Sequence, residues 1–312
     1  MKRQLIFAAL LAIATPFTSA TAVAAEPAMA SSLAPAETFE VGPMLVERHG
    51  SAGTPMIFIP GLSSGPYVWE SAVREFGKHH TLYLVTLPGF NGRPAVSGDA
   101  MAGAEQWIGN LIASRKLVRP VLVGHSLGAI ISIAFAEKHS DKIGGVIAID
   151  GLPVFPGTEN MPLDQRGAMA ARMKQGMAGV TRPVFEAQQK AYMQGPGGVT
   201  DPAVADALAA RSARSDPAAV SEYMAQVMAL DLRPGLAQIK VPVLLIAPFH
   251  EADMKAAGMP MTATMKANYY KSLMAGTPKL SVVAVSPARH FAMQDQPQQV
   301  NDAIRSYLKS NQ

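Results

Sequence analysis

The sequence predicts an α/β fold, a mostly parallel sheet covered by helices on both faces and interrupted by a helical cap insertion. Three observations lead there. Short apolar runs rich in β-branched residues alternate with longer runs of helical spacing. A glycine-flanked turn, Gly124-His125-Ser126-Leu127-Gly128, joins one such strand directly to one such helix. The alternation stops at Asp150-Gly151-Leu152-Pro153 and resumes only at Val241. At 312 residues the chain suits one large domain carrying an insertion and does not require two cores.

Phe39 to His49 predicts one or two strands. Met56-Ile57-Phe58-Ile59 is continuously apolar and halted by Pro60-Gly61, as expected of a strand covered on both faces. Tyr67 to Lys78 has the spacing of an amphipathic helix, and Thr81 to Thr86 predicts a strand ended by Leu87-Pro88-Gly89-Phe90. A helix over Ala100 to Lys116, a strand over Pro120 to Val123, a helix over Leu127 to Lys138 and a strand over Gly145 to Ile149 continue the rhythm. Residues 154–239 are helical, alanine-rich and methionine-rich, with breaks near Gly195-Pro196-Gly197-Gly198 and Ser215-Asp216-Pro217. They read as a cap inserted into a core made of residues 38–153 and 240–312. A strand at Val241 to Ile246, a helix over Thr262 to Ala275, a strand over Leu280 to Val285, a loop carrying His290 and a helix over Gln298 to Lys309 complete the chain. No internal repeat is present.

Residues 1–25 read as a secretory signal: Lys2 and Arg3 form the basic start, Leu5 to Ala14 the apolar centre, and Val23-Ala24-Ala25 the cleavage site. That apolar centre is too short for a permanent span, so the mature protein is expected to be periplasmic or secreted, without a stable membrane anchor. Residues 26–37, rich in alanine, serine and proline, read as a flexible leader. The chain has no cysteine, which excludes disulfides, thiolate metal sites, a thiol nucleophile and a lipid-bearing cysteine at the cleavage site. The net charge of +4 falls to +2 once Lys2 and Arg3 are gone, and the remaining basic residues are scattered, so a nucleic-acid partner is not expected. Oligomeric state is left open.

Ser126 is the leading candidate nucleophile, because a serine on a tight strand-to-helix turn stands clear of the sheet while the first helical amides face the charge that its attack creates. Leu127 supplies one such amide. Gly61-Leu62-Ser63-Ser64-Gly65 also fits G-x-S-x-G, but Pro66 follows and no apolar helical run begins there. A serine needs a base, and in this chain order the base should come late, on the loop after the last strand, where His290 lies. Of the other histidines, His125 should point away from the elbow, His49, His79, His80 and His139 read as solvated, and His250 is placed to line the site. Met161, Met169, Met173 and Met177, with Met193, Met224 and Met228 further on, predict packing of the cap on the core, a minority lining a pocket that flexible thioethers would adapt to varied apolar shapes. Trp69 and Trp107 fall on predicted helices and are assigned to the core.

Taken together, the elbow, Ile59-Pro60-Gly61-Leu62, Leu87-Pro88-Gly89-Phe90, Val241 to Ile246, and Arg289-His290-Phe291 with Asp295 and Pro297 downstream resemble the α/β-hydrolase superfamily over nearly all of the mature chain. The resemblance implies a serine hydrolase with a triad in the order serine, acid, histidine, a cap over the pocket, and a second oxyanion amide from Leu62. It also implies two places for the acid. The commoner follows the strand after the cap and reads Ala247-Pro248-Phe249-His250-Glu251-Ala252-Asp253 here, with proline where the family pattern has glycine. The rarer lies one strand earlier, where Asp150 ends a strand. Asp150 is the first choice, Glu251 the second and Asp253 the third. The H-E-x-D spacing at 250–253 lacks the paired histidine of a metal site, so neither metal nor cofactor is expected. The expected activity is cleavage of carboxylic esters of small apolar or amphipathic acyl substrates through an acyl-enzyme. Lactone or amide hydrolysis, acyl transfer and C–C cleavage remain open on the same triad, as does a non-catalytic protein that holds an apolar ligand.

Overall fold

The computed structural model describes residues 34–311. The predicted signal and most of the predicted leader lie outside the described residues. In chain order the strands are β1 (Glu37–Val41), β2 (Met44–His49), β3 (Pro55–Ile59), β4 (Thr81–Thr86), β5 (Val121–His125), β6 (Gly145–Ile149), β7 (Val243–Pro248) and β8 (Leu280–Val285). The helices are α1 (Glu70–Phe76), α2 (Ala100–Ser114), α3 (Leu127–His139), α4 (Leu163–Met177), α5 (Arg182–Gln194), α6 (Pro202–Ser212), α7 (Pro217–Ala229), α8 (Glu251–Ala256), α9 (Ala263–Leu273), α10 (Ala292–Asp295) and α11 (Pro297–Asn311).

The strands form a single sheet in the order β1-β2-β4-β3-β5-β6-β7-β8. The pairs β1–β2 and β2–β4 are antiparallel and every pair from β4 onward is parallel. Alternate residues along each central strand feed opposite faces, as the two-residue repeat of a strand requires. Ile57, Leu122, Val146 and Leu245 join α2, α3 and α9 in one cluster. Phe58, Val123, Ile147 and Ile246 join α1 and α11 in the other. Every residue of α3 from Leu127 to Ala136 is buried, so this helix lies in the core and not on the surface.

The predicted segment Tyr67 to Lys78 divides into a 3-10 turn, Pro66–Trp69, and α1, with Pro66 at the start of the turn. The predicted leader also runs slightly too far. The Ala36 N–H already donates to the Arg48 carbonyl (2.8 Å), and Glu37 opens β1 with its carboxylate held by Arg48 and Arg115. His49, expected in solvent, is 5% exposed with Nε2 3.6 Å from Glu47. Trp69 is in the core, whereas Trp107 packs on its margin, half-buried.

Four helices, α4 to α7, lie between β6 and β7, with α4 packed on α7 and α5 on α6. A bridge between Val154 and Asp231 closes the base of this insertion, and the Leu232 N–H donates to the Pro153 carbonyl at 2.7 Å. The turn between α6 and α7 reaches back to the sheet. The Asp216 N–H donates to the Gly89 carbonyl at 2.7 Å, and Tyr223 on α7 packs its ring 4.9 Å from that of Phe90.

Candidate active site

Register brings the ends of four parallel strands to one level, since Ile59 pairs with Gly124, His125 with Ile149, and Ile149 with Ile246. The chain order reverses between β3 and β5, so a crevice opens beyond the ends of these strands. Residues just past those ends include Leu62, Ser126 and Asp150, three of the positions that the sequence singles out.

Ser126 has φ 51° and ψ −116°, a left-handed conformation that a residue with a side chain adopts only when its surroundings enforce it. The enforcement is visible. Its N–H donates to Ile149 O at 2.9 Å, and its own carbonyl accepts from Ala129 and Ile130 as α3 begins. A Cβ at Gly128 would stand 2.0 Å from Ile59 O and one at Gly124 2.2 Å from Gly128 O, so only glycine fits on either side of the turn. A Cβ at Gly61 would come within 2.7 Å of His125 Nδ1 and 3.2 Å of Ser126 Cβ, which places the turn after β3 against the elbow. Leu127 opens α3, so its N–H has no acceptor within the helix.

Asp150, also at positive φ (48°), anchors its N–H on Ile246 O at 3.0 Å. Its Oδ2 is 2.5 Å from His290 Nδ1, which donates, and its Oδ1 accepts the hydroxyl of Tyr270 from α9. Burial pushes the Asp150 carboxyl up. The charge and hydrogen bond of His290, with Lys266 and the Tyr270 hydroxyl, outweigh burial and hold it down at about 2. Of the three candidate acids, Asp150 alone meets His290. Glu251 is exposed at the start of α8. Asp253 is occupied by Arg289, whose Nε and Nη2 donate to its two oxygens at 2.7 and 2.9 Å, and its Oδ2 lies 3.0 Å from His250 Nδ1. Proline in place of glycine at the end of β7, Pro248, therefore accompanies a carboxylate engaged in holding the histidine loop. Arg289 extends that role by donating to Val199 O, while Asp295 accepts from the Arg289 and Thr200 N–H groups.

His125 does not point away from the site. It is fully buried, its ring centroid lies 4.6 Å from that of His290 and 4.5 Å from that of Phe291, and its Nε2 meets the His290 carbonyl at 3.1 Å. Ser63, in the second G-x-S-x-G match, is 2% exposed and donates to Ser212 O at 2.8 Å, so it braces a loop. Met193 is buried, and the other cap methionines are half-buried.

Two tyrosines escaped the sequence reading. Tyr270 carries no pattern that ties it to a carboxylate 120 residues earlier. Tyr192 on α5 stands edge-on to His290, with centroids 6.4 Å apart and planes at 81°. Only the position of a tyrosine on the predicted helix over Thr262 to Ala275, or on an inserted helix, is legible without coordinates.

A sequence profile described as the Alpha/beta hydrolase family matches residues 56–303. The chain belongs to the alpha/beta hydrolase family. This hydrolase is 28% identical over 276 residues to 2-(acetamidomethylene)succinate hydrolase of Mesorhizobium japonicum, covering 84% of this chain and 90% of that protein. The alpha/beta hydrolase fold is shared with an esterase from Thermogutta terrifontis, at a TM-score of 0.66 and 20% identity over 86% of this chain and 93% of that one. It is also shared with an enol-lactonase from Burkholderia xenovorans, at a TM-score of 0.68 and 18% identity over 88% of this chain and 100% of that one.

Proposed function

We propose that the protein is an exported serine hydrolase that cleaves carboxylic esters through Ser126, His290 and Asp150. The observation that carries this reading is the 2.5 Å contact of His290 Nδ1 with Asp150, formed at the strand ends beside a serine held at an elbow. Asp150 fixes the imidazole tautomer with Nε2 free to act as base. Ser126 Oγ bonds to the carbonyl carbon and gives its proton to His290 Nε2. The oxyanion faces the N–H groups of Leu127 and Leu62. Collapse breaks the bond to the alcohol oxygen, which leaves with the proton from Nε2. Water then attacks the acyl-enzyme, loses a proton to Nε2, and the acid departs as that proton returns to Ser126 Oγ. No cofactor takes part. Residues 154–239 act as the cap, with the Tyr192 ring over the imidazole, and residues 1–25 direct export, which fractionation of cells expressing the chain with and without them tests.

Labelling with a fluorophosphonate tests the nucleophile. Ser126→Ala abolishes labelling and lowers kcat/KM by roughly four orders of magnitude or more, while Ser63→Ala still labels. Folded wild-type protein that takes no label would instead support a non-catalytic ligand-binding protein. A second reading, cleavage of an amide bond on the same triad, is favoured by the relative spanning 90% of its own length with this chain, whose substrate name carries an acetamido group. A panel of acetate to octanoate p-nitrophenyl esters, lactones and N-acyl amides separates the two, turnover of amides alone deciding against the ester reading.

A further inference from the structure

We propose that Tyr270 is a positioning residue for the acid, its hydroxyl fixing the oxygen of Asp150 that His290 leaves free and so setting how strongly the carboxylate supports the imidazolium. The inference rests on the triad reading above. Among the described residues the Asp150 carboxylate has two side-chain donors, Tyr270 on Oδ1 and His290 on Oδ2. A carboxylate held by one donor can rotate about its own axis, whereas two donors on opposite oxygens fix its plane. The fixed plane in turn fixes the direction from which Nδ1 is met. Asp150 is 10% exposed, so an oxygen left without a donor there would lose its solvation as well.

Tyr270 is suited to hold that plane. Its ring is 6% exposed in the core cluster formed on α9, and α9 packs against β7 and β8, so the hydroxyl cannot turn away without displacing a helix. Burial and the Asp150 charge push the hydroxyl well up, which keeps it a donor at any working pH. The titratable groups that face the Asp150–His290 pair are Tyr270 and Lys266 from α9, Tyr192 from α5, and His125 from β5. Lys266 stands one turn before Tyr270, its Nζ 5.4 Å from the centre of that ring. A hydroxyl on Oδ1 draws charge away from Oδ2. Removing it returns charge to the oxygen facing His290, which favours the protonated imidazole and makes the neutral base available only at higher pH.

The test compares Tyr270→Phe, 3-fluorotyrosine at position 270, and Tyr269→Phe, whose hydroxyl bonds Glu159. Each is assayed with p-nitrophenyl acetate across pH, and the His290 Nδ1 proton is observed by NMR. Tyr270→Phe is expected to lower kcat about ten-fold with KM within about two-fold, and to move the acid limb of the kcat/KM profile up by about half a pH unit. Fluorotyrosine keeps the ring and is the stronger donor, so it moves the limb down. The Nδ1 proton resonance shifts in both position-270 variants and stays in place in Tyr269→Phe. An unmoved limb and an unmoved Nδ1 resonance in the position-270 variants overturn the proposal, even where kcat falls. Should Tyr270→Phe fail to fold, the fluorotyrosine variant decides alone. Failure of the triad reading is seen separately, as full turnover by Ser126→Ala, and the Nδ1 resonance still decides the role of Tyr270 in that case.

Discussion

His125 is held neutral, chiefly by burial and next by the neighbouring His290, so its contact with the His290 carbonyl is an Nε2–H donating. Its folded value is depressed, as is that of Asp150, so both groups contribute stability that is lost on the acid side. For Asp150 that contribution is present above the unfolded value near 3.8 and is lost as pH falls toward about 2. Glu137 on α3 has the opposite sign. Burial pushes its carboxyl up to about 7, with the charges of Glu105 and Asp231 adding to the push and Lys138 opposing it. A raised carboxyl favours the fold below its unfolded value near 4.5 and loses that advantage as pH rises through 7. Glu137→Gln, which imitates the protonated form, is therefore expected to gain on the order of 1–2 kcal/mol at pH 8, after allowing for solvent screening, and nothing at pH 4. Thermal unfolding at the two pH values checks this, and an equal gain at both would refute it. At the reaction itself, Asp150→Asn is expected to cost about 10⁴ in kcat with little change in KM, while Glu251→Gln stays within two-fold, both read in a steady-state ester assay.

Among the elements, the four-helix insertion depends on a buried cation at its base. Arg166 of α4 is 4% exposed and lies 3.0 Å from Asp231 Oδ2, while its Nε and Nη1 donate to the carbonyls of Met161 and Leu230. Arg233 donates to the same carboxylate from the 3-10 turn at the exit, Arg233–Gln238, and to Glu159 O near the entry, so one acid ties the two ends of the insertion together. Asp231→Asn leaves the buried guanidinium without its countercharge and is expected to cost about 3–5 kcal/mol, whereas Arg166→Met removes the charge with its burial problem and costs less. Urea unfolding of the two variants ranks them, and a costlier Arg166→Met would place the stabilisation in packing. The insertion was legible in the sequence as a loss of strand rhythm, and the boundary between its last two helices as the break at Ser215-Asp216-Pro217; that Asp201 and Asp216 cap α6 and α7, each ahead of a proline, is seen only in the structure. The ion pairs at its base were not legible, because Arg166 and Asp231 are 65 residues apart and each reads alone as a surface charge.

At the scale of the whole molecule, the central strands were legible because a strand covered on both faces is apolar throughout, and Ser126 because its turn needs glycines on both sides. The carboxylate that meets His290 was not, since the choice between the ends of β6 and β7 depends on which one the histidine loop reaches, and Arg289 claims Asp253 through a contact that no local pattern announces. The docking of the insertion on the core was equally hidden, and it bears directly on the loop that carries the Leu62 amide. Ser63, next to Leu62, donates to Ser212 O at 2.8 Å, and Ser215 donates back to Ser63 O at 3.3 Å while accepting from the Asn91 N–H at 3.1 Å. The two bonds between Ser63 and the insertion are buried, so each is expected to contribute about 1 kcal/mol. They also share one loop at φ 59°, so the loss of one loosens the geometry of the other. Ser63→Ala and Ser215→Ala are each expected to lower stability by about that amount, and the double variant by at least about 0.5 kcal/mol less than their sum. A loop that carries the Leu62 amide should also transmit the loss to turnover, lowering kcat several-fold in each single variant with KM little changed. Additive stabilities with unchanged kcat would mean that the insertion rests on the core without steering the Leu62 amide.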